Sequence, residues 1–181
     1  MIENRNEAGF SVRVLADSMA FGTRITTMEL VYPRFIHAEF MTHRMFSRNA
    51  SSSRAIPIKR MLENCNAMPI HWGANKAGMS ADKELDSADG ISAWKSAKRE
   101  ACDYSADLAG DGYHKQIANR LTEPFQFIKV VVTATEWENF FHLRDHDAAQ
   151  PEIHELARMM KEAMAESEAK EFDEDDWHVP Y

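Results

Sequence analysis

Two cysteines in 181 residues, Cys65 and Cys102, are too few for a disulfide framework or a zinc site. No apolar run approaches the roughly 20 residues that a membrane-crossing helix needs. The segment Met1 to Phe10 is polar and carries both charge signs, so it does not read as a secretory signal. The chain also lacks a Gly-rich phosphate loop and a Gly-x-Ser-x-Gly nucleophile turn. A reduced, cytoplasmic protein without a membrane partner is the expectation. The formal net charge of -8 argues against general nucleic-acid binding, which rests on neutralising many phosphates. With 44% hydrophobic residues, one domain with its own core is expected.

One further absence is local. From Phe40 to Leu62 there is no Asp or Glu, although the chain as a whole is acidic. Inside that stretch lies His43-Arg44-Met45-Phe46-Ser47-Arg48-Asn49-Ala50-Ser51-Ser52-Ser53-Arg54. Arginine presents a planar fork of donors that grips phosphate at two points, and serine hydroxyls fill the remaining oxygen positions. Such stretches are also common in solvated loops. This one lies between two apolar helical patterns, which makes it a short loop inside a domain. A basic island of this size suits a small anionic ligand better than a long polyanion.

Ser11–Ala16 and Thr23–Tyr32 read as strands about a turn containing Gly22. Pro33 can open a helix through about Arg44, burying Phe35, Ile36, Phe40 and Met41. Pro57 opens another, whose Ile58, Met61, Leu62 and Cys65 form one stripe, so Cys65 reads as a core residue. Asn66–Gly90 reads as an ordered loop over a site, Ile91–Leu108 as a helix, and Tyr113–Leu121 as a shorter one. Phe125–Val132 is a strand by its β-branched and aromatic content. Thr135-Glu136-Trp137-Glu138 has the spacing of a capping box for a helix to about His146. A last helix starts at Pro151 and buries Ile153, Leu156, Ala157, Met160 and Met164. Eight acidic residues against Lys170 between Glu162 and Asp176 predict a solvated tail. The division is thus one catalytic-sized domain over 1–165 and an acidic tail over 166–181.

Two arginines outside the island are set among apolar residues. Arg120 ends a helical stretch, and Arg144 closes Asn-Phe-Phe-His-Leu-Arg. Each either pairs with a carboxylate, such as Glu123, Glu138 or Glu152, or meets a ligand. His142 and His146 stand four apart, but Leu143 replaces the glutamate of a zinc hydrolase and no third ligand is evident, so no metal is expected. Cys102 has no histidine beside it in sequence to activate it as a nucleophile.

The pattern His43-Arg44-x-x-Ser47-x-Asn49-x-x-Ser52-x-Arg54 resembles the signature of the flavin-dependent thymidylate synthases (ThyX). A second block matches in the same order: Arg120-x-x-x-Pro124, then Asn139-x-x-x-x-Arg144, then Ala149-Gln150-x-Glu152-Ile153. The resemblance implies an α/β (α+β) fold, a small, mainly antiparallel sheet flanked by helices. It implies methylation of dUMP to dTMP, with FAD as hydride carrier, methylenetetrahydrofolate as one-carbon donor and NADPH as reductant. It also implies a homotetramer with sites at subunit interfaces and no cysteine nucleophile. Carried over by position, Ser52, Ser53 and Arg54 would hold the nucleotide phosphate, with Arg120 also on the nucleotide. Arg144 would meet the pyrimidine and favour its anionic form, and Glu39 would lie on the nucleotide side. His43 and Arg44 would contact FAD, and Asn139 would contact it from the other side.

Departures from the family pattern concentrate on flavin and folate contacts. Thr42 stands where the motif begins with arginine, and Ala50 where a glutamate follows the asparagine. Ala148 replaces the histidine before Ala-Gln, and Thr133-Ala134-Thr135 replaces an Asn-x-Arg. Thr26-Thr27-Met28-Glu29-Leu30 stands where the family carries Thr-Pro-Phe-Glu-His. The sequence leaves room for another pyrimidine nucleotide such as dCMP, for a hydroxymethyl product, or for an inactive nucleotide-binding relative.

Overall fold

Alternating side chains over β2 (Ser11–Ala20) and β3 (Thr23–Pro33) build an antiparallel hairpin. Phe21 and Gly22 turn it with φ of 51° and 75°, the paired positive angles that let a two-residue turn follow strand twist. The computed structural model describes residues 2–77 and 83–180. Residues 78–82 of the expected Asn66–Gly90 loop, Gly78 included, and Tyr181 of the tail lie outside the described residues.

The sheet has the order β1-β2-β3-β5-β4, with β1 at Glu3–Arg5, β4 at Ser47–Ala50 and β5 at Phe127–Ala134. These neighbours are all antiparallel, and only the two-residue β6 (Lys170–Glu171) runs parallel, on β2. Val12, Met28, Leu30, Tyr32, Ile128, Val130 and Val132 are buried in one cluster with Ile153, Leu156, Ala157 and Met160 of α6 (Pro151–Glu166). Gln150 caps α6 by accepting the Ile153 N–H, with Pro151 at the first helical position. At the other end, Arg24 pairs with Asp17 and donates to the carbonyls of Met164 (2.8 Å) and Ser167 (3.0 Å). The hairpin thereby satisfies carbonyls that the helix terminus leaves without internal partners.

Pro33 does open a helical segment, but a shorter one than expected: a 3-10 turn over Arg34–Ile36, then α1 (His37–Met41). Ile36 and Phe40 are buried, Phe35 is partly so, and Met41 is 43% exposed instead of buried. After α2 (Ile58–Glu63), Met61 and Cys65 are buried while Ile58 and Leu62 are half-buried. Burial, then the neighbouring Cys102 thiol, pushes the Cys65 thiol up to about 12, which keeps it protonated and inert. α3 (Ala88–Gly110) is longer than predicted and is fastened by Trp94, whose indole donates to the Ala67 carbonyl and meets Phe35, Trp72 and Phe125 edge-on. The next stretch divides into α4 (Lys115–Ala118) and a 3-10 segment, Asn119–Phe125.

Three expectations are corrected here. The capping box at Thr135 does not form: α5 (Glu138–Arg144) starts after Trp137, whose buried indole donates to the Ala134 carbonyl instead. A third of the expected Ser/Arg loop, Ser47–Ala50, is strand β4, because β5 offers an edge along Val130–Thr133 for it to pair with. The tail is not wholly solvated. Beyond β6, the Phe172 N–H bonds the Met19 carbonyl, and His178 sits between the hydroxyls of Ser18 (2.9 Å) and Thr27 (2.8 Å), leaving Asp173–Asp176 exposed.

His37, bonded through Nδ1 to the Tyr32 hydroxyl at 2.8 Å, is pushed below the ordinary histidine range by burial and then by Arg34 and Arg48. Burial lowers His178 likewise. The unfolded chain therefore binds more protons than the folded one below about pH 6.5. Stability should hold above that value and fall as the pH drops through the lowered folded values, read as a fall in the urea midpoint between pH 7.5 and 5.5. A midpoint that rises over this window would contradict the assignment.

Candidate functional site

Phe46, in the turn after α1, is buried against Trp137 (ring centroids 4.7 Å apart), Phe140 (5.1 Å) and Phe40 (5.5 Å). The turn is closed by the Phe46 N–H on the His43 carbonyl and by the Arg48 guanidinium on the same oxygen. His43 stands edge-on to Phe140 at 4.8 Å. Its Nε2 accepts from Arg144 Nε at 2.9 Å, and the Thr42 hydroxyl accepts from Arg144 Nη2 at 3.4 Å. An acceptor nitrogen is an unprotonated one, and burial, then Arg144 and Arg48, hold the His43 pKa down. Arg144 is thus aimed by neutral groups, and it pairs with none of Glu123, Glu138 or Glu152. Its Nη1 makes no hydrogen bond among the described residues.

Arg144 forms the wall between two clefts. One, of ≈230 Å³, is lined by Thr42, His43, Arg44, Asn139 and Phe140. The other, of ≈340 Å³, is lined by Glu39, His142, His146 and Gln150. The candidate residues His43, Arg44, Asn139, Glu39 and Arg144 are therefore brought together by α1, the turn after it, and α5. Arg44 and Asn139 are exposed and make no side-chain hydrogen bond among the described residues.

Ser52, Ser53, Arg54 and Arg120 form a second group beyond the far end of β4. Ser51 still follows the strand, its N–H bonding the Lys129 carbonyl at 2.9 Å. Extended chain from Ser47 to Ser52 spans about 16 Å, which sets the two groups at opposite ends of β4. The Ser/Arg turn is docked by Asn119, whose amide donates to the carbonyls of Ser53 (2.7 Å) and Ile56 (2.9 Å). Ser53 is buried and its hydroxyl donates to Glu123. Glu123 also pairs with Arg34 (3.2 Å) and lies 3.9 Å from Arg120. Arg120, set among apolar residues in sequence, is 59% exposed. Arg54 is exposed and makes no ion pair among the described residues.

Glu123, named from sequence as a possible arginine partner, does lie beside Arg120, but its contacts with Ser53 and Arg34 had no sequence signal. Sequence reasoning missed Asn119 under the Ser/Arg turn and Phe46 with Trp137 under Arg144. A Phe and a Trp 91 positions apart carry no local signal of their pairing. The matched Gln150-x-Glu152 element also has a structural task. Buried Glu152 accepts the Ile70 N–H at 2.9 Å and the Gln150 amide, tying the segment before α3 to the start of α6.

The family model for the thymidylate synthase complementing protein matches residues 19–167. A comparison with curated proteins finds no match. Among solved structures, the UMP/dUMP methylase PolB from Streptomyces cacaoi, bound with 5-Br dUMP, is similar with a TM-score of 0.73. The likeness covers 90% of this chain and 92% of that one at 16% sequence identity, and is a likeness of fold. With a matched span that takes in both clefts and the Ser/Arg turn, the chain belongs to the thymidylate synthase complementing protein family.

Proposed function

We propose that the protein is a flavin-dependent enzyme that transfers a one-carbon unit to carbon 5 of a pyrimidine deoxynucleotide monophosphate. The family's thymidylate synthase reaction on dUMP is the reference. The observation that carries this reading is Arg144, held by His43 and Thr42 with Nη1 open, on the wall between two clefts. A fixed guanidinium against a pyrimidine ring stabilises negative charge on the ring, which makes carbon 5 a better nucleophile. A bound flavin would carry the hydride, methylenetetrahydrofolate would supply the carbon, and NADPH would reduce the flavin.

The donor set of the smaller cleft fits part of FAD. Arg44 is a cation unpaired among the described residues and suited to the pyrophosphate, Asn139 an amide open among the same residues, and Phe140 an apolar floor. A cleft of ≈230 Å³ takes only a portion of a dinucleotide, so the rest of the cofactor would lie against another subunit. The separation of the two residue groups supports the same arrangement. Arg54 and Arg120 of one chain would grip the phosphate of a nucleotide whose base meets Arg144 of another, in a homotetramer. Ser52 and Arg54 would supply donors to the phosphate directly. Ser53, its hydroxyl committed to Glu123, would act by shaping the turn.

Arg144→Ala should abolish turnover, measured as methylated product, while circular dichroism and phosphate-dependent nucleotide binding stay close to wild type. Loss of fold instead would assign Arg144 to the structure alone. Arg54→Ala should weaken nucleotide binding by about 1.5–3 kcal/mol, the scale of a charge-assisted hydrogen bond; unchanged affinity would remove the phosphate assignment. After incubation with FAD and desalting, the protein should retain a flavin absorption spectrum that shifts on adding a pyrimidine deoxynucleotide. Nucleotide binding without retained flavin would favour an inactive, nucleotide-binding relative.

A further inference from the structure

The span that matches the family model ends at residue 167, and beyond it the chain turns back along the sheet through β6. The Phe172 N–H then bonds the Met19 carbonyl at 2.9 Å. His178 is hydrogen-bonded through Nδ1 to the Ser18 hydroxyl (2.9 Å) and through Nε2 to that of Thr27 (2.8 Å). The Thr27 hydroxyl is in turn 2.7 Å from the hydroxyl of Thr133. Thr27, Thr133 and Ser47 stand opposite one another on β3, β5 and β4, and residues so paired share a face. They form one row of hydroxyls on the face turned away from the buried Met28 and Val132. The row leads from His178 to Ser47, which is exposed and directly follows Phe46 on the wall of the ≈230 Å³ cleft.

We propose that residues 172–179 are an autoinhibitory strap, closed over the inner end of this hydroxyl row and displaced when the anionic cofactor enters the neighbouring cleft. The inference rests on the flavin reading above and adds a control to it. A dinucleotide too large for the smaller cleft extends from it over Ser47 and Thr133, with another subunit as its opposite wall. In the closed state His178 occupies the Thr27 hydroxyl, which is bonded to Thr133. The closed strap also holds the acidic residues 173–176, all exposed, at this end of the sheet, where they oppose an approaching pyrophosphate. Its attachment suits release. Trp177 is 79% exposed and Val179 68%, so docking leaves both apolar side chains in water. A segment held by hydrogen bonds that water can replace, with little apolar burial, opens far more readily than the core. Opening frees the Ser18 and Thr27 hydroxyls and carries the acidic run away from the path of the cofactor.

The test is amide hydrogen exchange and FAD titration of the full chain, as wild type, His178→Ala and Phe172→Pro. The last removes the N–H that bonds Met19 and opens the strap at its other anchor. In wild type, saturating FAD should speed exchange at the Phe172 amide and in the residues that follow it. Both variants should bind FAD more tightly, by about tenfold for a strap closed about nine-tenths of the time, because apparent affinity scales with the open fraction. FAD that slows exchange in the strap, or leaves it unchanged, overturns the displacement. Variants that bind FAD no better than wild type overturn the inhibition and leave the flavin reading standing. Tightening by His178→Ala alone overturns the strap as a unit and assigns the effect to Thr27. If neither wild type nor variants bind FAD, the flavin reading fails and this one with it.

Discussion

Burial of Phe46 between Trp137 and Phe140 is the contact on which the site depends. It joins the end of the first motif block to α5, which carries the second. Without it the turn from His43 to Phe46 would be held by the Arg48 clasp and by the contacts of His43 with Phe140 and Arg144, with no buried side chain of its own at its far end. Aromatic pairs of this kind contribute about 0.5–1.5 kcal/mol beyond the area they bury. Their more important effect here is geometric. Because Phe140 also meets His43 edge-on, the same cluster that fills the core sets the imidazole that aims Arg144.

The electrostatics of the two residue groups differ in kind. Around Arg144 the protein uses neutral acceptors, an unprotonated imidazole and a hydroxyl, so the guanidinium keeps its full charge for a ligand. Around Arg120 it uses Glu123, which also gathers Arg34 and Ser53 and partly offsets the arginines it organises. Arg54 lies outside that network. The turn thus leaves Arg54 without an ion pair among the described residues, while Arg34 and Arg120 are offset by Glu123.

How much of this was legible in the sequence varies with how local the cause is. The hairpin of β2 and β3, the helix from Pro151 and its buried Ile153, Leu156, Ala157 and Met160 follow from periodicity and caps, which are short-range signals. Strand β4 was not legible, since Ser47-Arg48-Asn49-Ala50 has little strand propensity and pairs only because β5 presents a free edge. The docked tail was hidden for a related reason: acidic composition predicts solvation, and nothing near Lys170 announces a partner at Ser18 and Met19. At the site, motif spacing located His43, Arg44, Asn139 and Arg144, which the fold then places side by side. It could not reveal that Ser53 is spoken for by Glu123, or that Arg120 is exposed, because both depend on how the 3-10 segment Asn119–Phe125 lies against the Ser/Arg turn.

The two edges of the sheet have different fates during synthesis. β1 covers β2 along Ser11–Arg13, a neighbour only a few residues away that can pair as soon as the hairpin exists. The remaining part of that edge, Ser18 and Met19, waits for Lys170 and Glu171, some 150 residues later. Until then it presents unpaired amides and carbonyls, a template for strand addition by another nascent chain. The opposite edge, β4, is short and carries an arginine, which discourages such pairing without any cover. Misassembly of chains not yet carrying this segment should therefore favour the β2 side, and the pairing of Lys170 and Glu171 is the closure that ends that risk.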